Sequence, residues 1–344
     1  MNKSCLIGFL MCSAFSLVVQ AATDGAHITK TISQIERKKG IKRTIQYRPD
    51  GNDFVCVNGK NRYTRALYGG ITDFRIETSD RPVFATYKPK DSKHICFRLQ
   101  CGNQSIALDS LKFCEARYRA GRRTYRLTDP LLGKGELNIS VLAFPDAEGG
   151  IWRFTMKDMP EGALLHCYIS EIRAKNLSRN GDMGADRADS FDAPQLPKEQ
   201  KHYKLSLDGT TAYIVVEDQE LRLPALVEGT SLYDKSEKWR SEIESSLQIS
   251  TPDPYFNPLG GALAAAADGI WDGKIWLHGA IGWRSQLNGW RAAYIGDFIG
   301  WHDRARTHFD SYAASQVTDV PATIPHPTQD TALHLSLIHI SEPT

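Results

Sequence analysis

Residues 137–156 read LNISVLAFPDAEGGIWRFTM and contain two of the runs that decide the fold. Large apolar residues alternate with polar ones from Leu137 to Leu142 and again from Trp152 to Met156. Successive side chains of a β-strand point to opposite faces, so an alternation with a period of two puts the apolar set on one face. The stretch therefore predicts two strands, each with one buried face.

Similar runs precede and follow this stretch, from about Arg43 to Asp218. Short β-rich or alternating segments lie at 43–47, 54–57, 82–87, 94–99, 164–172, 203–207 and 212–216. Asp208-Gly209, between the last two runs, is a turn signal and predicts a hairpin there. Strands at this spacing, without helical patterns between them, indicate a large antiparallel β-sandwich and disfavour a parallel α/β fold.

The chain changes character after about residue 250. Pro258–Trp271 is rich in alanine and predicts a buried helix, and Trp301–Val317 has apolar residues at three- and four-residue steps that predict a second helix. The charged stretch Glu237–Leu247 is interpreted as a linker that could hold a short helix. Residues 176–200 lack an apolar pattern and predict a long exposed loop.

Neither end of the chain is expected to belong to the folded domains. A basic Met1-Asn2-Lys3, an apolar run from Cys5 to Val19 and the small residues before Ala21 predict a signal peptide over residues 1–21 and export. The last ten residues resemble a translated sequencing adapter, so we expect residues 334–344 to be an artefact and the reading frame to be truncated. The remaining chain divides into a sandwich domain at 22–236, a linker at 237–250 and a helical domain at 251–333.

The composition excludes several classes of binding partner. The 344 residues include 42 basic and 40 acidic side chains, which gives a net charge of +2. A charge this small does not attract nucleic acid or an acidic membrane. After the signal peptide no stretch is apolar and long enough to span a membrane. The five remaining cysteines match no zinc spacing and are interpreted as small buried residues, with Cys96 and Cys101 as a pair that could join. We expect no metal and no cofactor.

The segment from Trp276 to Ser315 is the richest in side chains that bind sugars. Aromatic rings stack on the apolar faces of sugar rings, while Arg, His and Asp bind hydroxyl and carboxylate groups. The candidate substrate-binding residues are Trp283, Arg284, Trp290, Arg291, Tyr294, Trp301 and His302. The alternative is that the tryptophans of this segment, together with the preceding Trp271, fill a helical core.

Two stretches here, 289–297 and 300–304, resemble the opening of an (α/α)6-barrel catalytic domain of bacterial glycoside hydrolases, in which a β-sandwich precedes the barrel. A more specific similarity is to Bacteroidetes proteins that carry the domain DUF4450. It rests on Arg65–Gly70, Asp80–Pro82 and the Gly-Trp-Arg stretch, and it covers residues 40–320. The resemblance implies a mainly β fold, a sandwich followed by the first helices of an (α/α)6 barrel, and a carbohydrate substrate.

Glycoside hydrolases use two carboxylates that flank the scissile bond. Asp297 is the first candidate for a catalytic carboxylate and Asp303 the second, although Asp303 also suits the first turn of a helix. We expect the partner carboxylate in the missing part of the barrel, so that this chain alone is inactive. The expected location is the periplasm or cell surface of a Gram-negative bacterium.

Two other functions are compatible with the sequence. A polysaccharide lyase could use Tyr294 or His302 as the base and Arg291 to neutralise a uronate. A non-catalytic glycan-binding protein would bind sugar through residues 40–250 alone. The basic run Arg117, Arg119, Arg122 and Arg123 could contact an acidic glycan, or it could be the polar side of an exposed strand.

Overall fold

A computed structural model gives the structure of the chain and describes residues 46–89, 91–174, 177, 187–195, 198–279 and 289–314. The predicted signal peptide at 1–21 and the predicted artefact at 334–344 lie outside these residues. The described part is mainly β, with two antiparallel sheets and a few helices, which confirms the predicted fold class at that level. The (α/α)6 barrel stays a prediction.

Fifteen strands lie in the described part of the chain. They are β1 Arg48–Asp50, β2 Asp53–Val57, β3 Tyr63–Tyr68, β4 Arg75–Ser79, β5 Val83–Lys88, β6 Asp91–Cys101, β7 Gln104–Ala107, β8 Phe113–Arg119, β9 Arg122–Thr128, β10 Glu136–Ala143, β11 Gly149–Lys157, β12 Leu164–Glu171, β13 Gln200–Ser206, β14 Thr211–Glu217 and β15 Glu220–Arg222. The two runs of residues 137–156 form β10 and β11, which pair antiparallel from Glu136 opposite Lys157 to Ala143 opposite Gly150.

The strands form two sheets. An eight-stranded sheet has the order β1-β2-β8-β9-β10-β11-β14-β15, and a seven-stranded sheet has the order β13-β12-β6-β5-β4-β3 with β7 paired to β6. Every pair is antiparallel. The inner faces of both sheets supply one hydrophobic core, because their alternate residues are apolar and buried.

Phe84 on β5 lies at the centre of this core. Its ring meets the rings of Phe97, Tyr125 and Trp152 at 5.8, 5.6 and 5.6 Å between centroids, each edge to face. Phe97 in turn meets Phe154 at 5.4 Å. Phe84 and Phe97 belong to the seven-stranded sheet and the other three rings to the eight-stranded sheet, so this aromatic cluster joins the two sheets.

The predicted hairpin at Asp208-Gly209 is wrong. Strand β13 pairs with β12 in the seven-stranded sheet, whereas β14 pairs with β11 in the eight-stranded sheet. The turn therefore carries the chain from one sheet to the other. A turn signal specifies that the chain reverses, but the partner of each strand depends on where its apolar face can be buried.

Within the described ranges four α-helices follow the last strand: α1 Leu226–Ser245, α2 Leu259–Gly269, α3 Gly289–Phe298 and α4 His302–Ala314. The stretch interpreted as a charged linker, 237–247, lies mostly within α1. Arg240 pairs there with Glu237 at 2.7 Å and with Glu244 at 2.8 Å. Pairs three and four residues apart stabilise a helix, so the charges that resembled a linker support α1.

Helix α1 packs on the outer face of the eight-stranded sheet. Tyr233 of the helix joins a buried apolar cluster with Leu142, Ile151 and Val215 of the sheet. Gly229 permits this approach, because a Cβ atom at that position would lie 2.3 Å from the ring of Tyr213. The helix thus covers one end of the sheet and leaves the rest of the outer face open.

The other two predicted helices are confirmed, but their bounds and the burial of α2 differ from the prediction. The predicted helix Pro258–Trp271 is α2, but Leu263 is 53 % exposed while Ala264 and Ala267 are buried, so only one face is covered. The predicted helix Trp301–Val317 is α4, and residues 315–317 lie outside the described residues. The stretch 289–297, which resembles the opening of an (α/α)6 barrel, lies in α3.

The long loop at 176–200 is not wholly exposed. Among its described residues Phe191 is buried, and its ring lies 5.9 Å from that of Tyr63 on β3. A single 3-10 turn, Ala188–Phe191, presents this side chain to the sandwich. One isolated aromatic in a polar stretch carries no periodic signal, so the sequence did not reveal this anchor.

The five described cysteines are free thiols, and Cys96 and Cys101 are not joined. Cys56, Cys114 and Cys167 are buried, as expected for cysteines that act as small apolar residues. Among the described helices, none combines the length and apolarity that crossing a bilayer requires.

Phe84→Ala should lower the free energy of unfolding by about 3–5 kcal/mol, because it removes a fully buried ring and leaves a cavity between the sheets. Urea denaturation followed by tryptophan fluorescence measures the change. Val57→Ala is the control, since Val57 is 52 % exposed on β2 and should cost less than about 1 kcal/mol. Equal losses in the two variants would contradict a core centred on Phe84.

The buried thiols should react slowly in the native protein. Burial raises the pKa of Cys96 to about 11 and that of Cys114 to about 12, so the reactive thiolate is scarce at neutral pH. A thiol-reactive chromophore should label Cys101 before these two, because burial raises the pKa of its thiol less. Cys101→Ser should remove one equivalent from the fast phase, and an unchanged fast phase would show that another thiol is the accessible one.

Candidate functional site

The turn between α3 and α4 brings two of the predicted site residues together. The Asp297 carboxylate and the His302 ring are joined by a hydrogen bond of 2.9 Å between Oδ1 and Nδ1. Their side chains are 74 % and 66 % exposed. Gly300, with φ of 83°, allows the chain to reverse between the helices, and the Trp301 amide donates to the Gly296 carbonyl at 2.7 Å. The pair therefore lies on an open surface.

Asp303 lies in the first turn of α4 and is exposed. Its carbonyl oxygen accepts a hydrogen bond from the Thr307 hydroxyl at 2.9 Å. A carboxylate in the first turn interacts favourably with the positive end of the helix dipole. This position accounts for Asp303 without a catalytic role.

Trp301 and Arg304 form a stacked pair beside the Asp297–His302 turn. The Arg304 guanidinium lies 4.3 Å from the centre of the Trp301 ring and 5.6 Å from that of Trp271. It also pairs with Asp268 of α2 at 2.7 Å. The arginine thus connects α4 to α2, and the Trp301 side chain beside it is half-buried.

Asp268 is a site residue that the sequence reasoning missed. It is buried, and this burial raises the pKa of its carboxyl although Arg304 lowers it. A signal existed, because Asp268 is the only charged residue in the alanine-rich helix α2. Its partner could not be found from sequence, since Arg304 lies 36 residues further along the chain.

Trp276 belongs to the helical core and not to a sugar-binding surface. It is fully buried, its indole donates to the Ala267 carbonyl at 3.1 Å, and its amide donates to His308 Nδ1 at 3.0 Å. Gly296 of α3 packs against its ring, and a Cβ there would lie 2.3 Å from the indole. The alternative that tryptophans of this segment fill a core holds for Trp276.

The remaining predicted residues are only partly described. Tyr294 on α3 is 67 % exposed. Trp283 and Arg284 lie outside the described residues. Trp290 and Arg291 lie in α3, but their side chains are outside what the structure describes.

A polar cavity of about 330 Å³ lies on the outer face of the eight-stranded sheet. The register of β8, β9, β10 and β11 aligns its side chains in two rows across the strands. One row contains Arg117, Thr124, Ser140 and Arg153, and the other contains Glu115, Arg126, Asn138 and Thr155. The residues between them, such as Tyr125 and Phe154, point into the core.

The arginines of the basic run 117–123 lie on different faces of the eight-stranded sheet. Arg117 and Arg122 line the cavity, whereas Arg123 is fully buried between the sheets. Sequence reasoning missed Asn138, Ser140 and Arg153. These are the polar positions of the alternating runs at 137–156, so the signal was present. Their alignment with β8 and β9 depends on pairing register, which the pattern does not give.

A second cavity, of about 460 Å³, lies where α1 and α2 meet the β8–β9 turn. Its charged side chains are already paired: Arg119 contacts Glu244 at 2.6 Å, and Arg240 contacts the same carboxylate at 2.8 Å. We interpret these contacts as the junction between the sandwich and its helices.

The fold and these surfaces define a class of protein: a two-sheet antiparallel sandwich with a helix on one outer face and a polar cavity beside it. The family model described as Domain of unknown function (DUF4450) matches residues 89–216, which run from the start of β6 into β14. The DUF4450 resemblance is confirmed over this segment, which is shorter than the expected 40–320. A comparison with curated proteins finds no match.

Arg304→Met should destabilise the chain, because it leaves the Asp268 carboxylate without its cation. Breaking a fully buried pair costs about 3–5 kcal/mol, and we expect about 2–3 kcal/mol here since Arg304 is partly solvated. The pKa of Asp268 is already raised, so the folded state binds its proton more tightly than the unfolded state. Removal of Arg304 raises the pKa of Asp268 further, because the arginine lowers it. The stability lost in the variant should therefore grow as the pH rises above the pKa of Asp268 in the folded wild-type chain.

Urea denaturation at about pH 5 and about pH 8 measures this dependence. Arg306→Met is the control, because Arg306 is exposed on the same helix. A similar loss in both variants, or a loss independent of pH, would show that the Asp268–Arg304 pair does not hold α2 against α4.

Proposed function

We propose that this chain is part of an exported glycoside hydrolase, with a sugar-binding surface at the turn between α3 and α4. The observation that supports the proposal is the Asp297–His302 hydrogen bond of 2.9 Å on an open surface. The half-exposed Trp301 ring, stacked with Arg304, lies next to this pair in the chain. A carboxylate, an imidazole and an indole are the groups that bind sugar hydroxyls and sugar faces.

Exposure decides which catalytic role suits Asp297. A general acid at neutral pH requires a dry environment that keeps its carboxyl protonated. The Asp297 side chain is 74 % exposed to solvent, so we assign it the role of base or nucleophile. Asp303 is exposed as well, and in this proposal the acid comes from a further carboxylate, about 5 Å away in a retaining enzyme or about 6.5–9.5 Å in an inverting one.

A second candidate function is non-catalytic glycan binding by the sandwich. It is favoured by the polar cavity on the eight-stranded sheet, whose hydroxyl, amide and guanidinium groups can bind sugar hydroxyls without any catalytic carboxylate. This function predicts that residues of the helical segment are dispensable for binding.

Asp297→Asn should weaken the binding of neutral oligosaccharides by about tenfold, because hydrogen bonds to a charged carboxylate contribute about 1.5–3 kcal/mol. Calorimetry with the full chain and a panel of plant and host oligosaccharides measures the affinity. Release of reducing sugar is followed in the same samples. An unsaturated product that absorbs in the near ultraviolet would instead assign a lyase.

Asp310→Asn is the matched control, since it removes one exposed carboxylate from α4 away from His302. It should leave binding unchanged within about twofold. Binding that survives Asp297→Asn would assign recognition to the sandwich and reject the surface at α3–α4. A chain that binds no carbohydrate at all would reject both candidate functions.

A further inference from the structure

Arg153 in the sheet cavity has no carboxylate partner among the residues that the structure describes. Arg117 pairs with Glu115 at 2.8 Å, Arg122 with Glu237 at 2.8 Å and Arg126 with Glu136 at 3.3 Å. Arg153 makes no ion pair with any of the described residues, although it is half-buried. Taking a guanidinium partly out of water without a counter-ion is unfavourable, so its position requires an explanation.

Stacking holds the Arg153 side chain in place. Its guanidinium lies 3.8 Å from the centre of the Tyr233 ring, and the Tyr233 hydroxyl is fixed by a hydrogen bond of 2.6 Å to Ser140. The Nε atom is buried without an acceptor in the described part of the chain, and the terminal nitrogens make no hydrogen bond there either. The stacked guanidinium is therefore preorganised, and no carboxylate of the described ranges compensates its charge or occupies its terminal donors.

The surroundings of Arg153 suit a hydroxylated ligand. Thr124 and Ser140 lie in its row, and Asn138 and Thr155 lie in the neighbouring row of the same face. Hydroxyl and amide groups both donate and accept hydrogen bonds, as sugar hydroxyls require. The cavity volume of about 330 Å³ lies at the lower end of the range for small-molecule sites, which is about 300–1,000 Å³.

We propose that this cavity binds an acidic sugar, with the anionic group of the sugar paired to Arg153 and its hydroxyls bound by Thr124, Asn138 and Thr155. A planar guanidinium matches the two oxygens of a carboxylate or of a sulfate ester, and both chemistries share this mode of recognition. The inference rests on the proposed carbohydrate function for the identity of the ligand. The cavity lies on the sandwich and does not involve Asp297.

The test is calorimetry of the full chain with an oligogalacturonate, its fully methyl-esterified form and a sulfated oligosaccharide. The free acid should bind at least about tenfold more tightly than the neutral ester, because only the acid forms a charge-assisted bond with Arg153. Tighter binding of the sulfated compound supports the anion site and assigns it to a sulfate ester. Equal affinity for the acid and its ester would overturn the proposal.

Arg153→Met should reduce the affinity for the acid by about tenfold or more while its stem still packs on Tyr233. Arg98→Gln is the control, because it removes the same charge from the outer face of the seven-stranded sheet, where Arg98 is exposed. An equal loss of affinity in the two variants would show that only the net charge matters, and it would reject the site.

Two further variants keep the proposal testable if Arg153→Met does not fold. Arg153→Lys keeps the charge but loses the paired donors, so it should bind the acid with an intermediate affinity. Asn138→Ala should weaken the acid and the ester alike. Full affinity in both would also overturn the proposal. Loss of acid binding in these variants, with no effect of Asp297→Asn, would retain the cavity and reject the surface at α3–α4.

Discussion

The contact between the two sheets through Phe84 is the constraint on which the rest of the structure depends. Sheets of a sandwich pack about 10 Å apart, and the large rings of Phe84, Phe97 and Trp152 fill that space edge to face. Because this core fixes β9, β10 and β11 from the inside, their outward side chains are held at fixed spacing. The α1 helix and the polar cavity both use that outer face, so both depend on the core beneath it.

A buried polar network accompanies the aromatic core. The Asp80 carboxylate accepts hydrogen bonds from Thr64 at 2.8 Å and from Gln46 at 2.5 Å, and also from the Tyr47 hydroxyl, while Arg123 lies 3.8 Å away. Arg81 donates to the carbonyl oxygens of Asp109 and Leu111, both at 2.9 Å. The Asp80–Pro82 stretch that suggested a family resemblance is thus explained by structure: a buried charge is tolerated when hydrogen bonds satisfy it.

The outer face of the eight-stranded sheet is divided by composition. Leu142, Ile151 and Val215 lie under α1, and Ser140 and Arg153 contact Tyr233 at the edge of the helix. The row that contains Glu115 lies beyond the helix. The DUF4450 match at 89–216 includes the cavity strands and excludes all four helices. The polar cavity therefore lies within the matched segment, and the turn between α3 and α4 lies beyond it.

The sequence by itself determined the mainly β class, the strands β2, β5, β6 and β10–β14, the helices α2 and α4 and the burial of three cysteines. These features follow from local periodicity and composition, which act over a few neighbouring residues. Only the tertiary structure decided the rest. It separated β13 from β14, turned the charged stretch at 237–245 into part of α1, placed Trp276 in the core and paired Asp268 with Arg304. It also aligned Arg153 with Ser140 and Thr124. Each of these depends on contacts between residues distant in the chain, and such contacts are set by burial and by strand register, for which a one-residue shift moves every side chain to the other face.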